Sequence, residues 1–253
     1  MKIALLLFGQ PRNIENPNSF KSHQEWIYDE YDVDTFCHVW WEKGVEGYDV
    51  SDWVNEECKA PENPIEVIEE RYKPKNIKVE PPRNFKLSDD LYKRTRDKFG
   101  YDHPWSEKTL SNVSSHLYSI ESAARLIENP NDYDFIIQSR YDNYIHNFPD
   151  LESMDGDHFY LSDHHDRFPD LMFIFGPKFI ETQFTYGKMD QLAERHFDKF
   201  WEPSAECYKY YNYLDKFFVQ QLFPIHLPVR VIRDSTGYGD VSLLPSEYLQ
   251  KLQ

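Results

Sequence analysis

Residues 3–8 read Ile-Ala-Leu-Leu-Leu-Phe, six apolar side chains in a row, and Gly9 and Pro11 stop the run. A strand with no polar position has no face to give to water. It belongs in the middle of a parallel sheet covered by helices on both sides, with the glycine and proline opening the loop that follows. The stretch is too short for the apolar region of a secretory signal, and no small-residue cleavage site separates it from Gly9-Gln-Pro-Arg12.

The rest of the chain repeats the pattern. A helix is expected over residues 19–31 and a second strand over 33–41, where Phe36, His38 and Trp40 alternate. An acidic, irregular stretch at 42–63 precedes a helix at 64–72 and a strand at 77–80, which Pro81-Pro82 ends. Residues 83–108 carry mixed charge with weak periodicity and read as an exposed insertion. The clearest helix covers 112–128, with Leu117, Ile120, Ala124 and Ile127 at helical spacing and Asn129-Pro130 as its stop. Strands follow at 133–139, 158–161 and 171–175. A helix is expected from Gly176-Pro177 to the middle 190s, another from a Ser204 cap through Phe223, and a last strand over 229–233. Strands alternating with helices predict an α/β protein with a mostly parallel central sheet flanked by helices, and residues 1–253 read as one Rossmann-like domain.

The formal charge is 28 − 44 = −16, which argues against nucleic acid as a partner while leaving room for a small anion in a locally basic pocket. The three cysteines, Cys37, Cys58 and Cys207, are widely spaced and form no CxxC pair, which predicts reduced thiols and a cytoplasmic setting. No stretch reaches membrane-spanning length. The 18 Tyr, 18 Phe and 6 Trp supply core volume, with some left over as platforms for flat or sugar-like ligands.

Chemistry is expected where the strand at 133–139 ends. Ser139, Arg140 and Asp142 fall within four positions at the carboxyl end of a buried strand, where ligands collect in open α/β sheets. An acid beside an arginine there suits a phosphate-bearing substrate, held directly or through a divalent metal, and a salt-bridged turn is the plainer reading. Gly9, Gln10 and Arg12 sit where a nucleotide would approach: the glycine admits close backbone approach, and Arg12 can reach a base, ribose or phosphate. A tight turn with a solvated arginine is the alternative. His38 reads as a hydrogen-bonded core histidine. Ser115, His116, Tyr118 and Ser119 share the helix before the site, either facing the ligand or facing solvent. The loop Asp163-His164-His165-Asp166 offers nitrogen and oxygen donors to a transition metal, although adjacent side chains diverge and a solvated loop is the simpler reading.

In order and spacing these pieces resemble the small GT-A-type glycosyltransferases found in polysaccharide clusters and in large-virus or phage genomes. The resemblance rests on Leu7-Phe-Gly-Gln-Pro-Arg12, Asp34-Thr-Phe-Cys-His-Val-Trp40, Ser115-His-Leu-Tyr-Ser-Ile120, Tyr133-Asp-Phe-Ile-Ile-Gln-Ser-Arg-Tyr-Asp142 and Asp170-Leu-Met-Phe-Ile-Phe-Gly176. It covers most of residues 1–176. Such enzymes hold a divalent metal on the donor diphosphate with a DxD motif at a strand end. Here the triplet is Arg140-Tyr141-Asp142, which keeps the second acid and replaces the first with arginine.

The resemblance implies a nucleotide-sugar donor and a glycan or glycan-like acceptor. Gly9, Gln10, Arg12, Ser115 and Ser119 would bind the nucleotide. Asp142, with Arg140, would manage the diphosphate directly or as a ligand to Mn²⁺ or Mg²⁺. Asp170 or Glu206 would bind the sugar or deprotonate the acceptor hydroxyl, and an acid in a first helical turn like Glu206 is also what the helix dipole favours. Asp142→Asn is then expected to abolish transfer with little loss of folding. Two alternatives stand beside this: a non-catalytic nucleotide- or carbohydrate-binding protein on the same fold, and a metal-dependent hydrolase built on residues 163–166.

Overall fold

The computed structural model describes residues 1–43, 60–100, 103–162, 171–225 and 227–231. The chain enters through β1 (Lys2–Gly9), whose six central residues are all buried. Asn16 caps α1 (Pro17–His23) by accepting from the Asn18 amide, and the helix continues as one π-helical turn over Gln24–Tyr28. Next come β2 (Asp32–Trp40), α2 (Pro64–Tyr72) and β3 (Asn76–Glu80).

Residues 83–108, read from sequence as an exposed insertion, include a docked helix, α3 (Asp89–Phe99). Ser88 caps it from the Leu91 amide, Gly100 closes it at φ 70°, and Leu91 and Thr95 are buried. Arg94 and Lys98 reach across to the carbonyls of Ala193 and Phe197. The caps were legible, but the density of charge hid the narrow apolar stripe between them.

The helix expected at 112–128 starts earlier and is the longest in the protein's described part, α4 (His103–Ala124). It leads to β4 (Phe135–Arg140), then β5 (Asn143–Ile145), β6 (Phe159–Ser162) and β7 (Phe173–Phe175). The helix expected from Gly176-Pro177 is made of short 3-10 segments at Pro177–Gln183 and Tyr186–Lys188 before α5 (Met189–His196). Ser204 does cap α6 (Ala205–Leu214), through the Cys207 amide. That helix stops nine residues short of Phe223, because residues 222–225 leave it to form β8 (Leu222–Ile225). β9 (Val229–Val231) pairs with β5 in a separate antiparallel ribbon.

The main sheet is ordered β3-β2-β1-β4-β7-β6-β8. β1 to β4 run parallel, β7 is antiparallel to both its neighbours, and β6 pairs in parallel with β8. The chain is therefore an α/β protein with a mostly parallel, Rossmann-like sheet. Residues alternate between two cores. Ile3, Leu5 and Leu7 join Cys37, Val39 and Ile137 against Ile27, Ile68 and Tyr72, while Ala4, Leu6 and Phe8 join Phe36 and Ile136 against Ile120, Ala123 and Ala124 of α4.

From β1 the chain moves outward to β2 and β3, then returns through α4 to β4 on the other side of β1. The crossovers thus diverge between β1 and β4, and the crevice beyond the carboxyl ends of those two strands is the expected ligand position in such a sheet. Asp34 lies at the opposite end, where it binds Lys75 at 2.7 Å and the Tyr133 hydroxyl at 2.8 Å. Its role is to tie strand starts together.

Candidate functional site

A cleft of about 240 Å³ opens at this divergence point. Gly9, Gln10 and Arg12 from the loop after β1, Arg140 from the end of β4, and Ser115 and Ser119 from α4 all line it. The structure thus brings together the six residues that sequence reasoning assigned to nucleotide binding. Phe8, Trp40, Asn112 and His116 complete the wall. Asn112, Ser115, His116 and Ser119 fall at i, i+3, i+4 and i+7, a polar stripe at helical spacing on a helix whose Leu117 and Ile120 are core. That stripe is the signal by which Asn112 and His116 were recoverable from sequence.

Strand register explains the convergence. Phe8 lies beside His38 on one side and Arg140 on the other, so all three point to the α4 face of the sheet. Gly9 has φ +103°, a conformation only glycine adopts without strain, and it turns the chain over the strand end. His116 packs edge-on against Phe8 at 5.2 Å.

Ser139 and Tyr141, on either side of Arg140, take the other face. The Ser139 hydroxyl meets His23 Nε2 at 3.0 Å and accepts from Asn143 Nδ2 at 3.0 Å. The Ser19 hydroxyl donates to the carbonyls of Tyr141 and Asn143, and the Tyr141 hydroxyl donates to the His38 carbonyl at 3.2 Å. Ser139 therefore anchors the segment, and only Arg140 of that pair reaches the cleft. Burial without a charged partner holds the His23 ring down to about 4.

Asp142 is 3% exposed. Arg140 donates to it through Nε to Oδ1 and Nη2 to Oδ2, both at 2.8 Å, and Arg12 Nη2 lies 3.9 Å from Oδ2. Two guanidiniums from different elements thus meet on one carboxylate at the cleft of a protein whose formal charge is −16. The assignment of Asp142 as a metal ligand fits this geometry poorly: both oxygens already serve one guanidinium, and the second repels a cation. Among the described residues, no three His, Cys, Asp or Glu side chains gather where they could hold a metal ion.

At the α4 wall, Ser119 Oγ lies 2.6 Å from His38 Nδ1, and His38 Nε2 lies 3.0 Å from Glu80 Oε2. Tyr118 donates to Glu80, and Lys78 pairs with it at 2.7 Å. Burial lowers His38 to about 4 and outweighs the pull of Glu80. Glu80 itself is raised by burial but held at about 2 by Lys78, His38 and Tyr118. The expectation of a hydrogen-bonded core histidine describes His38 well, and its partner is a residue of the cleft.

Glu206 does not line the cleft. It occupies the first turn of α6, where backbone amides favour a carboxylate. One turn on, the buried Lys209 donates to Gln138 of β4 at 2.6 Å and lies 4.0 Å from the centre of the Phe173 ring. A buried lysine inside an aromatic helix run has no signature in sequence. Asp170, Cys58 and the loop 163–166 fall outside the described residues.

Fold and cleft define an α/β protein with a pocket lined by two arginines and two serines at the sheet's divergence point. No protein-family model matches the chain, and none of the curated proteins does. No described helix is long and apolar enough to cross a membrane.

Proposed function

We propose that the protein binds a nucleoside diphosphate sugar in this cleft and transfers the sugar to a glycan or glycan-like hydroxyl. The observation that carries this reading is the pair Arg12 and Arg140, both lining a cleft at the divergence of β1 and β4 and both held on Asp142. Guanidinium groups bind phosphate oxygens in a fixed planar geometry, and two of them can neutralise a leaving diphosphate as charge builds on it. Arg140 and Arg12 do this work directly, with Asp142 as the group that aims them. The acceptor must still lose a proton; of the two carboxylates that the resemblance offers for that step, Glu206 does not line the cleft and Asp170 lies outside the described residues.

A second reading has its own support. No carboxylate lines the cleft among the described residues, so a binding protein without turnover would look the same there. Thermal denaturation with nucleoside diphosphates and nucleotide sugars, each with Mn²⁺ or EDTA, tests the shared part, since a ligand of the native state raises its melting temperature by mass action. The expected result is a selective rise with one diphosphate series that persists in EDTA. No rise with any of them removes the nucleotide reading. Sugar release or transfer by the same protein then separates enzyme from binding protein.

A further inference from the structure

The loop that carries Arg12 is held by a residue that does not itself line the cleft. Residues 10–16, between β1 and α1, form neither strand nor helix, so their carbonyls take partners from elsewhere in the fold. The chain bends at Gly9 and again at Asn13, a buried residue in the left-handed region at φ 54°. The Asn16 amide closes that second bend on the Asn13 carbonyl at 2.9 Å, and Ile14 enters the core. Arg71, in the last turn of α2, takes the carbonyls that follow. Its Nη1 donates to Ile14 at 2.6 Å and more weakly to Asn16 at 3.4 Å, while Nη2 donates to Glu15 at 3.2 Å. The same guanidinium lies 6.0 Å from the centre of the Phe20 ring of α1.

We infer that Arg71 is a positioning residue, which sets the course of this loop and through it the place of the Arg12 guanidinium. This rests on the nucleotide reading above, in which Arg12 binds the diphosphate. Arg140 reaches Asp142 across two residues through two 2.8 Å bonds, whereas Arg12 arrives from another element and stands 3.9 Å away. The place of Arg12 therefore depends on its own backbone. An apolar anchor at Ile14 fixes one point of that backbone, and a planar fork on successive carbonyls fixes its direction. A loop ordered in advance need not be ordered by the ligand, so the clamp raises affinity without touching what binds. A plainer role also exists, since the dipole of α2 favours any cation in its last turn. Lysine separates the two roles. It keeps the charge at the end of α2 and lacks the fork that spans Ile14 and Glu15.

The test uses the full-length protein and Arg71→Lys. Without ligand, amide hydrogen exchange at residues 12–16 is expected to be about 10-fold faster in the variant, while α2 keeps its wild-type protection. Calorimetric titration with UDP, GDP, ADP and CDP selects the diphosphate that the wild type binds tightest. Arg71→Lys is expected to bind it about 10-fold more weakly, as a loop that is competent about one-tenth of the time requires. In an Arg12→Ala background, titrated at higher ligand concentration, the same substitution should change affinity by less than about 2-fold, because the residue it acts through is gone. Unchanged exchange at 12–16, faster exchange in α2 instead, wild-type affinity in Arg71→Lys, or an equal loss in both backgrounds overturns the assignment and leaves the nucleotide reading standing. If no diphosphate binds the wild type, the nucleotide reading has failed and this assignment falls with it.

Discussion

Arg140 holds both oxygens of Asp142, two residues further on, through two 2.8 Å hydrogen bonds, and Arg12 closes on the same carboxylate from the loop after β1. One anion thus sets two cations that come from opposite sides of the sheet's divergence point. Removing it should cost both function and folding. Asp142→Asn keeps the shape but takes a buried carboxylate away from two partly buried guanidiniums, so the stability loss expected is about 3 kcal/mol. This revises the sequence-based expectation of little folding cost. Urea denaturation measures the loss, and titration with the selected nucleoside diphosphate should show affinity lower by at least about 10-fold. Wild-type affinity in the variant would remove Asp142 from the site.

Arg140→Lys keeps the charge and loses the fork. A lysine cannot span Oδ1 and Oδ2 at once, and its ammonium is a point charge with no planar match to phosphate. Diphosphate binding should weaken by about 10-fold or more. The salt dependence of binding should change little, because the number of positive charges at the cleft is unchanged. Titrations at two ionic strengths give both numbers. Equal affinity for Lys and Arg would mean that the site needs charge alone.

Much of this architecture was legible because the strands are strongly patterned. The unbroken run at 3–8 demanded a central position, and glycine and proline marked its end. The six cleft residues were found because each sits at a strand end or on the polar stripe of α4, where direction follows from period. What was missed has a physical reason in each case. Asn143–Ile145 and Leu222–Ile225 are strands of three and four residues, too short to show a period of two. Lys209 is buried by tertiary packing on Gln138 and Phe173, which nothing in its own neighbourhood announces. Glu80 contacts His38 from 42 residues away, so the link from strand β3 to the cleft existed only once β2 and β3 had paired in register.

Acid should destabilise the protein earlier than its carboxylates require. His23 and His38 are both held at about 4 by burial, against an ordinary value of 6.5. Below pH 6.5 the unfolded chain takes up protons that the native rings refuse, so stability falls as pH drops from 6.5 towards 4. At pH 5 the expected loss is about 2 kcal/mol for each histidine. Glu80, held at about 2, adds its loss only at lower pH, between 4.5 and 2. Urea midpoints at pH 7.5 and pH 5 measure the first window, and His23→Gln should shrink the difference by about one histidine's share. Stability that is flat across this range would contradict two buried neutral rings.

Two glycines should respond to alanine for different reasons. At Gly9 a methyl group meets nothing within 4 Å, so the cost lies in the backbone at φ +103° and should be about 1–2 kcal/mol. The loop can relieve that strain only by moving, which displaces Gln10 and Arg12. Diphosphate affinity should therefore fall along with stability. At Gly176, φ is −71° and any residue would accept it. There the added carbon would sit 2.1 Å from the Gly156 carbonyl oxygen, so β7 and the turn before β6 would have to separate. That overpacking should cost about 3 kcal/mol and leave the cleft's affinity unchanged in the fraction that folds. Denaturation and nucleotide titration on both variants separate the two mechanisms. A Gly9→Ala protein with wild-type affinity would show that the loop carrying Arg12 does not depend on this turn.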